Sequence, residues 1–315
     1  MCGSDLHAYH HGAGIPIEAA HAFTGDQAPL VLGHEFAGTV VEIGEDVTNV
    51  MVGDRVTIEP ILYCGKCIHC RKGSYNLCTV SQGAFLGLAK DGGFAEFAVT
   101  EASRMHKIPD NMSLEEAALV EPTAVAFHAV RKSGLKVGQT VAVFGAGPIG
   151  LLTLLAAQAA GATTTFVVDL SKERLEKARE LGATYTINPL EENAVEKIMR
   201  ITGSGVDIAF EAAGAQPTFT SAMNAIDAGG TVTVVAVIPI DVTMNAIMPL
   251  IKETTLNFSC AYANEFPQVI DLIASGRLDV KKVITKKITL AHLVEQGLEL
   301  LLVDKSQAKI IVSPK

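Results

Sequence analysis

No run of lysines and arginines occurs anywhere in the 315 residues, and 34 acidic side chains outnumber 25 basic ones, for a net charge of -9. Phosphate binding needs a basic face, so this composition argues against a nucleic-acid partner. Low-complexity tracts and short repeats are also absent. The opening segment, MCGSDLHAYHHG, has neither a basic n-region nor an apolar h-region, so no secretory leader is expected and a cytoplasmic setting is. Only Cys2 and Cys260 lie outside one dense cysteine group. That is the pattern of a reduced chain that spends thiols on metal and not on cross-links. Cys260 itself reads as a small core hydrophobe.

Charge is missing altogether from residues 137 to 168, and about 20 apolar residues are enough to cross a bilayer. Glycines and Pro148 break this stretch, and charge resumes at Asp169 with SKERLEKARELG. Two β-like ends around a helical middle describe a buried βαβ unit, so no membrane partner is expected.

What the chain does contain begins with CGKCIHCRKGSYNLC: Cys64, Cys67, Cys70 and Cys78 in the spacing C-x2-C-x2-C-x7-C. Bacterial ferredoxins share the first half, but their fourth cysteine follows after three residues and precedes proline. Four thiolates on one loop suit tetrahedral zinc, and filling all four positions with sulfur leaves none for substrate, so the site is expected to be structural.

TVAVFGAGPIGLLTLLAAQAAGATTTFVVD reads as strand, glycine turn, helix, strand and acidic residue. Gly145 permits the tight turn, Gly147 lets backbone approach a pyrophosphate, and Gly150 lets the helix pack close. Pro148 and Ile149 open the helix, whose free N–H groups offer donors to phosphate. A carboxylate at Asp169 favours ribose hydroxyls over a 2'-phosphate, hence NAD over NADP. Arg174, in the helix after it, completes the cofactor-binding candidates. VDIAFEAAG from Val206 and TVTVVAV from Thr231, with a helix QPTFTSAMNAI between, continue a doubly wound parallel sheet. Ahead of this half, APLVLGHEFAGTVVEIGEDVTNVMVGDRVTIEP is dense in valine and glycine and reads as small twisted strands.

The ordered motifs CGSDLH, GHEFAGTVVEIG, VGDRV, the cysteine loop, GGFAEF, VEPTAVAFHAV and VFGAGPIG resemble those of the zinc-containing medium-chain alcohol and polyol dehydrogenases, over essentially the whole chain. The insertion HHGAGIPIEAAHAFTGDQAPLVLGHEF and the stretches EPILYCGKC and KSQAKIIVSP resemble the butanediol dehydrogenase branch. The resemblance implies an α/β protein with a β-rich GroES-like catalytic domain over 1–125 and 264–315, its zinc lobe at 64–78, and a Rossmann domain over 126–263. It places the ligands of a second, catalytic zinc on Cys2, His34 and Glu121, leaving the fourth position open. Glu35 is expected behind this set or transiently on it, because adjacent side chains of a strand point to opposite faces. Ser4 and His7 take the family's proton relay. The implied reaction passes a hydride between a zinc-bound alcohol and NAD.

Butanediol and acetoin are the implied substrates, with sorbitol-type polyols and threonine as alternatives, and a zinc- and NAD-binding protein without turnover as a different class. A homo-oligomer, dimer or tetramer, is implied, with NFSCAY a candidate meeting edge. Members of the family carry a few dozen residues before CGSD, where this chain has Met1 alone; the expectation is that edge strands are missing there.

Overall fold

Valine and glycine alternate too irregularly in the first hundred residues for long strands, and the computed structural model, which describes residues 1–314, forms only short ones there. In chain order, α1 (Gly3–His11), β1 (Ala37–Thr39), β2 (Arg55–Ile58), α2 (Ile68–Arg71), β3 (Met105–Lys107) and α3 (Leu114–Ala118) lead to a long helix, α4 (Val120–Ser133). Regular alternation follows: β4 (Thr140–Phe144), α5 (Pro148–Ala159), β5 (Thr164–Val168), α6 (Lys172–Glu180), β6 (Tyr185–Ile187), α7 (Ala194–Thr202), β7 (Val206–Glu211), α8 (Gln216–Ala225) and β8 (Ile226–Val234). The remainder is α9 (Ile247–Ile251), β9 (Thr255–Phe258), α10 (Phe266–Ala274), β10 (Ile284–Thr289), α11 (Glu299–Val303) and β11 (Lys309–Ser313).

The chain divides into two compact units. One takes Met1–Pro122, Ala263–Gly276 and Ile284 onward; the other takes Thr123–Tyr262 and Arg277–Val283. The first unit holds the antiparallel sheet β1-β2-β3 and the parallel pair β10-β11. Val40, Val50, Val56, Ile58 and Leu86 fill the core of the first sheet. Ile288, Leu298 and Ile310 fill that of the pair, and Met1 is buried among them. The motif GHE lies ahead of β1, with His34 and Glu35 in a bend, so the strand alternation expected for Glu35 does not apply.

The second unit is a six-stranded sheet in the order β6-β5-β4-β7-β8-β9, with every neighbouring pair parallel. Renumbered from its first strand this is 3-2-1-4-5-6, the order of dinucleotide-binding sheets, whose switch point falls between β4 and β7. Phe144, Phe166, Phe210 and Phe219 are fully buried or nearly so, as expected where helices cover both faces and strands read as apolar runs. Asp207 ties the start of β7 to β4, accepting from the Thr140 amide at 2.8 Å and its hydroxyl at 2.6 Å.

Two expectations fail in this unit. Strand β8 starts at Ile226, five residues ahead of the β-branched run, and Cys260 lies past β9 and is exposed, not core. Strand pairing ends at Phe258, one further bond joins the Ser259 amide to Val234 O at 2.9 Å, and Cys260 lies beyond it. Among the described residues no helix is long and apolar enough to cross a membrane.

Candidate active site and metal centres

Gly65 takes φ +70° and turns the chain after Cys64, and Cys67 caps α2 by accepting from the Cys70 amide. Those two devices fold three cysteines onto one point, and the turn Tyr75–Leu77 delivers Cys78. All four sulfurs lie within 4.8 Å of one another. The measured pairs are Cys67–Cys70 at 3.5 Å and Cys64–Cys70 and Cys67–Cys78 at 3.9 Å. A tetrahedral zinc with bonds of about 2.3 Å sets sulfurs roughly 3.8 Å apart, so the lobe fits the ion. Backbone amides of Lys66 and Cys67 point at Cys64 Sγ, and those of Cys64 and Ser81 at Cys78 Sγ. Burial pushes the Cys78 thiol up, but the Ser81 and backbone donors outweigh it and bring it down to about 5. Burial and the neighbouring thiols push Cys70 up to about 12. The lobe is anchored by Tyr75, which donates to Glu59 at 2.5 Å and accepts from the Asn264 amide at 2.7 Å.

A second cluster forms at the start of α1. Cys2 caps that helix, and the thiol of Cys2, a ring nitrogen of His34 and a carboxylate oxygen of Glu35 lie within 4.8 Å of one another. Asp5, wholly buried, organises the other two elements: its Oδ2 accepts from the Cys2 amide at 2.8 Å, and its Oδ1 lies 3.3 Å from His34 Nδ1. That leaves His34 Nε2 facing Ser4 Oγ at 3.2 Å. A carboxylate behind an imidazole fixes its tautomer and orientation for metal binding. Burial pushes the His34 pKa down, but the Cys2 thiol and Asp5 outweigh it and hold the ring well above its usual range. Cys2 and Asp5 thus favour a positive charge on the His34 ring.

Lys309, on β11, supplies another. Its ammonium is 1% exposed and pairs with Glu35 Oε1, while Glu35 Oε2 lies 3.1 Å from the Met1 amino nitrogen. Burial pushes the Glu35 carboxyl up, and Lys309 reverses this to leave it well below the usual carboxylate range. Burial lowers the Lys309 pKa, and Glu35, Cys2 and Glu121 together more than restore it. Glu121, 4% exposed in the first turn of α4, therefore faces the same buried cation, although it stands outside the tight trio. His7 is exposed on α1, three residues beyond Ser4 and on the same side of the helix. Thiol, imidazole and carboxylate are the zinc donor set, so the residues present fit that ion. Sequence reasoning missed Asp5 and Lys309. Asp5 was legible in CGSDLH itself, whereas nothing local marks Lys309.

In the second unit the glycine turn has the predicted geometry. Gly145 sits at φ +106°, and a Cβ there would meet Ala212 and Ala213 at 2.9 Å. A Cβ on Gly150 would stand 1.8 Å from Gly145 O, whereas one on Gly147 meets nothing within 4 Å. Gly147 caps α5, with Pro148 and Ile149 in its first turn. That is an open cradle at a helix N-terminus, suited to a pyrophosphate. Asp169 closes it by accepting from the Ala146 amide at 2.7 Å and the Ser171 amide at 2.9 Å. Arg174 is half-buried, with its amide capped by Ser171.

Residues 1–110 match the alcohol dehydrogenase GroES-like domain, and residues 148–275 match the zinc-binding dehydrogenase domain. Over its whole length, and 90% of the relative's, the chain is 43% identical to (R,R)-butanediol dehydrogenase of Bacillus subtilis. It belongs to the zinc-type alcohol dehydrogenase family. The crystal structure of the Bacillus subtilis 2R,3R-butanediol dehydrogenase superposes with a TM-score of 0.94, again over 100% of this chain and 90% of that one. Sorbitol dehydrogenase of the same organism is 37% identical over the whole chain and 87% of the relative. A Sinorhizobium meliloti protein described as a zinc-binding dehydrogenase and solved with NADP is 32% identical, with a TM-score of 0.91 over 100% of this chain and 89% of that one. As a member of this family the chain is an oxidoreductase acting on CH–OH donors.

Proposed function

We propose that this dehydrogenase interconverts 2,3-butanediol and acetoin with NAD, using one catalytic and one structural zinc per chain. The chemistry rests on one observation: the thiol of Cys2, a ring nitrogen of His34 and a carboxylate oxygen of Glu35 lie within 4.8 Å of one another, a zinc donor set. The diol rests on the 43% identity to a butanediol dehydrogenase.

In this reading Cys2, His34 and Glu121 hold the catalytic zinc, and Cys64, Cys67, Cys70 and Cys78 hold the structural one. A zinc ion at the first site supplies a Lewis acid that makes a substrate hydroxyl acidic near neutral pH. Asp5 stands on the Nδ1 side of the His34 ring, so Nε2 is the atom that would be offered to the ion. Lys309 and the Met1 ammonium hold the Glu35 carboxylate, one on each oxygen, beside the position the ion would take. Ser4 accepts the proton of the substrate hydroxyl while giving its own hydroxyl proton to His7, which releases it to solvent, a role that suits an exposed imidazole. Gly147 and the α5 N-terminus take the pyrophosphate. Asp169 accepts from the ribose and disfavours a 2'-phosphate, against the precedent of the relative solved with NADP.

Polyols are the second reading, supported by the 37% identity to sorbitol dehydrogenase. Loss of NADH absorbance with acetoin, compared with NADH production from sorbitol, separates the two. Faster turnover of acetoin supports the diol reading, and faster turnover of sorbitol replaces it. NADH binding seen by fluorescence, with no turnover of either substrate, shows a zinc- and NAD-binding protein in place of an enzyme.

A further inference from the structure

Helix α1 carries three histidines in its C-terminal half, of which only His7 has a part, the relay, in the reading given above. His7 stands three residues before His10 and four before His11, spacings that share a helix face, while His10 and His11 are sequence neighbours. All three are exposed. The ring centroids of His7 and His11 are 6.2 Å apart, and so are those of His10 and His11. His11 is thus the common neighbour of the other two. Among the described residues no hydrogen bond or ion pair engages any of the three rings, and the only further ring contact is that of Tyr9 on His10, at 4.9 Å.

Imidazole binds zinc through nitrogen at about 2.0–2.1 Å, which puts the centroids of two rings on one ion roughly 5–6 Å apart. The observed pairs are within a rotamer adjustment of that, and exposed rotamers interchange on the ps–ns scale. Position adds a second attraction. His10 and His11 lie in the last turn of the helix, ahead of Gly12, which closes it with φ 65°. There the unsatisfied carbonyls carry partial negative charge and favour a cation.

We propose that the C-terminal half of α1 is a surface site for a divalent transition-metal ion, with His11 as the shared ligand and His7 and His10 as its partners. Neutral imidazole is the commonest protein ligand for zinc and its neighbours in the series. Occupancy has a functional consequence that rests on the relay reading given above. A cation on His7 takes the lone pair that would accept the proton from Ser4, so excess metal slows turnover without touching the zinc held by Cys2 and His34.

Calorimetric titration of ZnCl2 into the zinc-replete protein tests the site, with turnover of the same samples followed in parallel. One further zinc ion is expected to bind in the wild type. His11→Asn, which leaves the proposed catalytic groups in place, is expected to weaken it by about tenfold or more while leaving basal turnover unchanged. His10→Asn/His11→Asn is expected to remove it. Absence of an additional ion in the wild type overturns the site, as does binding that persists unchanged in both variants. Binding that depends on His11 but leaves turnover untouched confirms the site and overturns the relay role of His7. Inhibition by zinc that is relieved by His11→Asn supports both.

Discussion

Lys309 and Glu35 stand 274 positions apart and form one ion pair sealed from water, with Cys2 and Glu121 close enough to act on the same ammonium. Removing one partner of such a pair leaves the other as an uncompensated buried charge, at a cost of about 3–5 kcal/mol. Glu35→Gln, which leaves both Lys309 and the Met1 ammonium facing a neutral side chain, is therefore expected to lower the unfolding free energy of the first unit in urea by that order, whereas Lys309→Met, which leaves Glu35 its contact with the Met1 ammonium, costs less. A loss below about 1 kcal/mol in Glu35→Gln would place the pair in solvent-like surroundings and remove its structural role. Asp5 works at the same scale by a different route. Outer-shell carboxylates of this kind cost 10–100-fold in metal affinity when lost, so Asp5→Ala should show that fall in a chelator competition while its far-ultraviolet spectrum stays that of the parent. Cys2, His34, Ser4 and Asp169 were legible because motifs hold each in a short fixed context. The partnership of Glu35 was not, because it depends on a bend where a strand was expected and on a lysine at the far end of the chain.

Elements were legible where packing dictates them. The uncharged run of β4, α5 and β5 is buried on all sides, so its period and its glycines show directly in the residues. The first unit was harder, since strands of three or four residues have little period to read. The glycine turn makes a sharp prediction for α5. Gly147 has φ -69° and open space around its missing Cβ, so Gly147→Ala should keep its melting temperature and lose NADH affinity. Gly150→Ala should lose both, because its Cβ has nowhere to go. Equal NADH affinity in Gly147→Ala and the parent would move the pyrophosphate elsewhere.

The tie between β4 and β7 is pH-dependent. Burial pushes the Asp207 carboxyl up, but Thr140 outweighs it and its pKa is lowered. A lowered folded pKa means stability that is fully present above the ordinary carboxylate value of about 3.9 and lost as pH falls through the folded one. Asp207→Asn should therefore cost stability at pH 7 by denaturant unfolding, and the gap to the parent should close in acid below that value. A gap independent of pH would mean the amide lacks only shape, not charge.

For the whole molecule, the open edge of the six-stranded sheet is β9, where Phe258 is 59% exposed, and Leu250 and Ile251 of the preceding α9 are 78% and 67% exposed. An uncovered apolar edge of this kind invites pairing, so the homo-oligomer that the family resemblance implies is expected to fall to monomer in Phe258→Asp/Leu250→Asp by native mass spectrometry. An unchanged mass would put the assembly elsewhere.

Two different metal sites are expected on this one chain, a closed sulfur lobe and an open site at the start of α1. Zinc per chain, measured by elemental analysis on the parent and on His34→Ala and Cys78→Ser, tests this most directly. A ratio near two is expected in the parent, with each substitution removing its own ion and leaving the other. A ratio near one in the parent, unchanged by His34→Ala, would contradict it and leave only the sulfur lobe as a metal site.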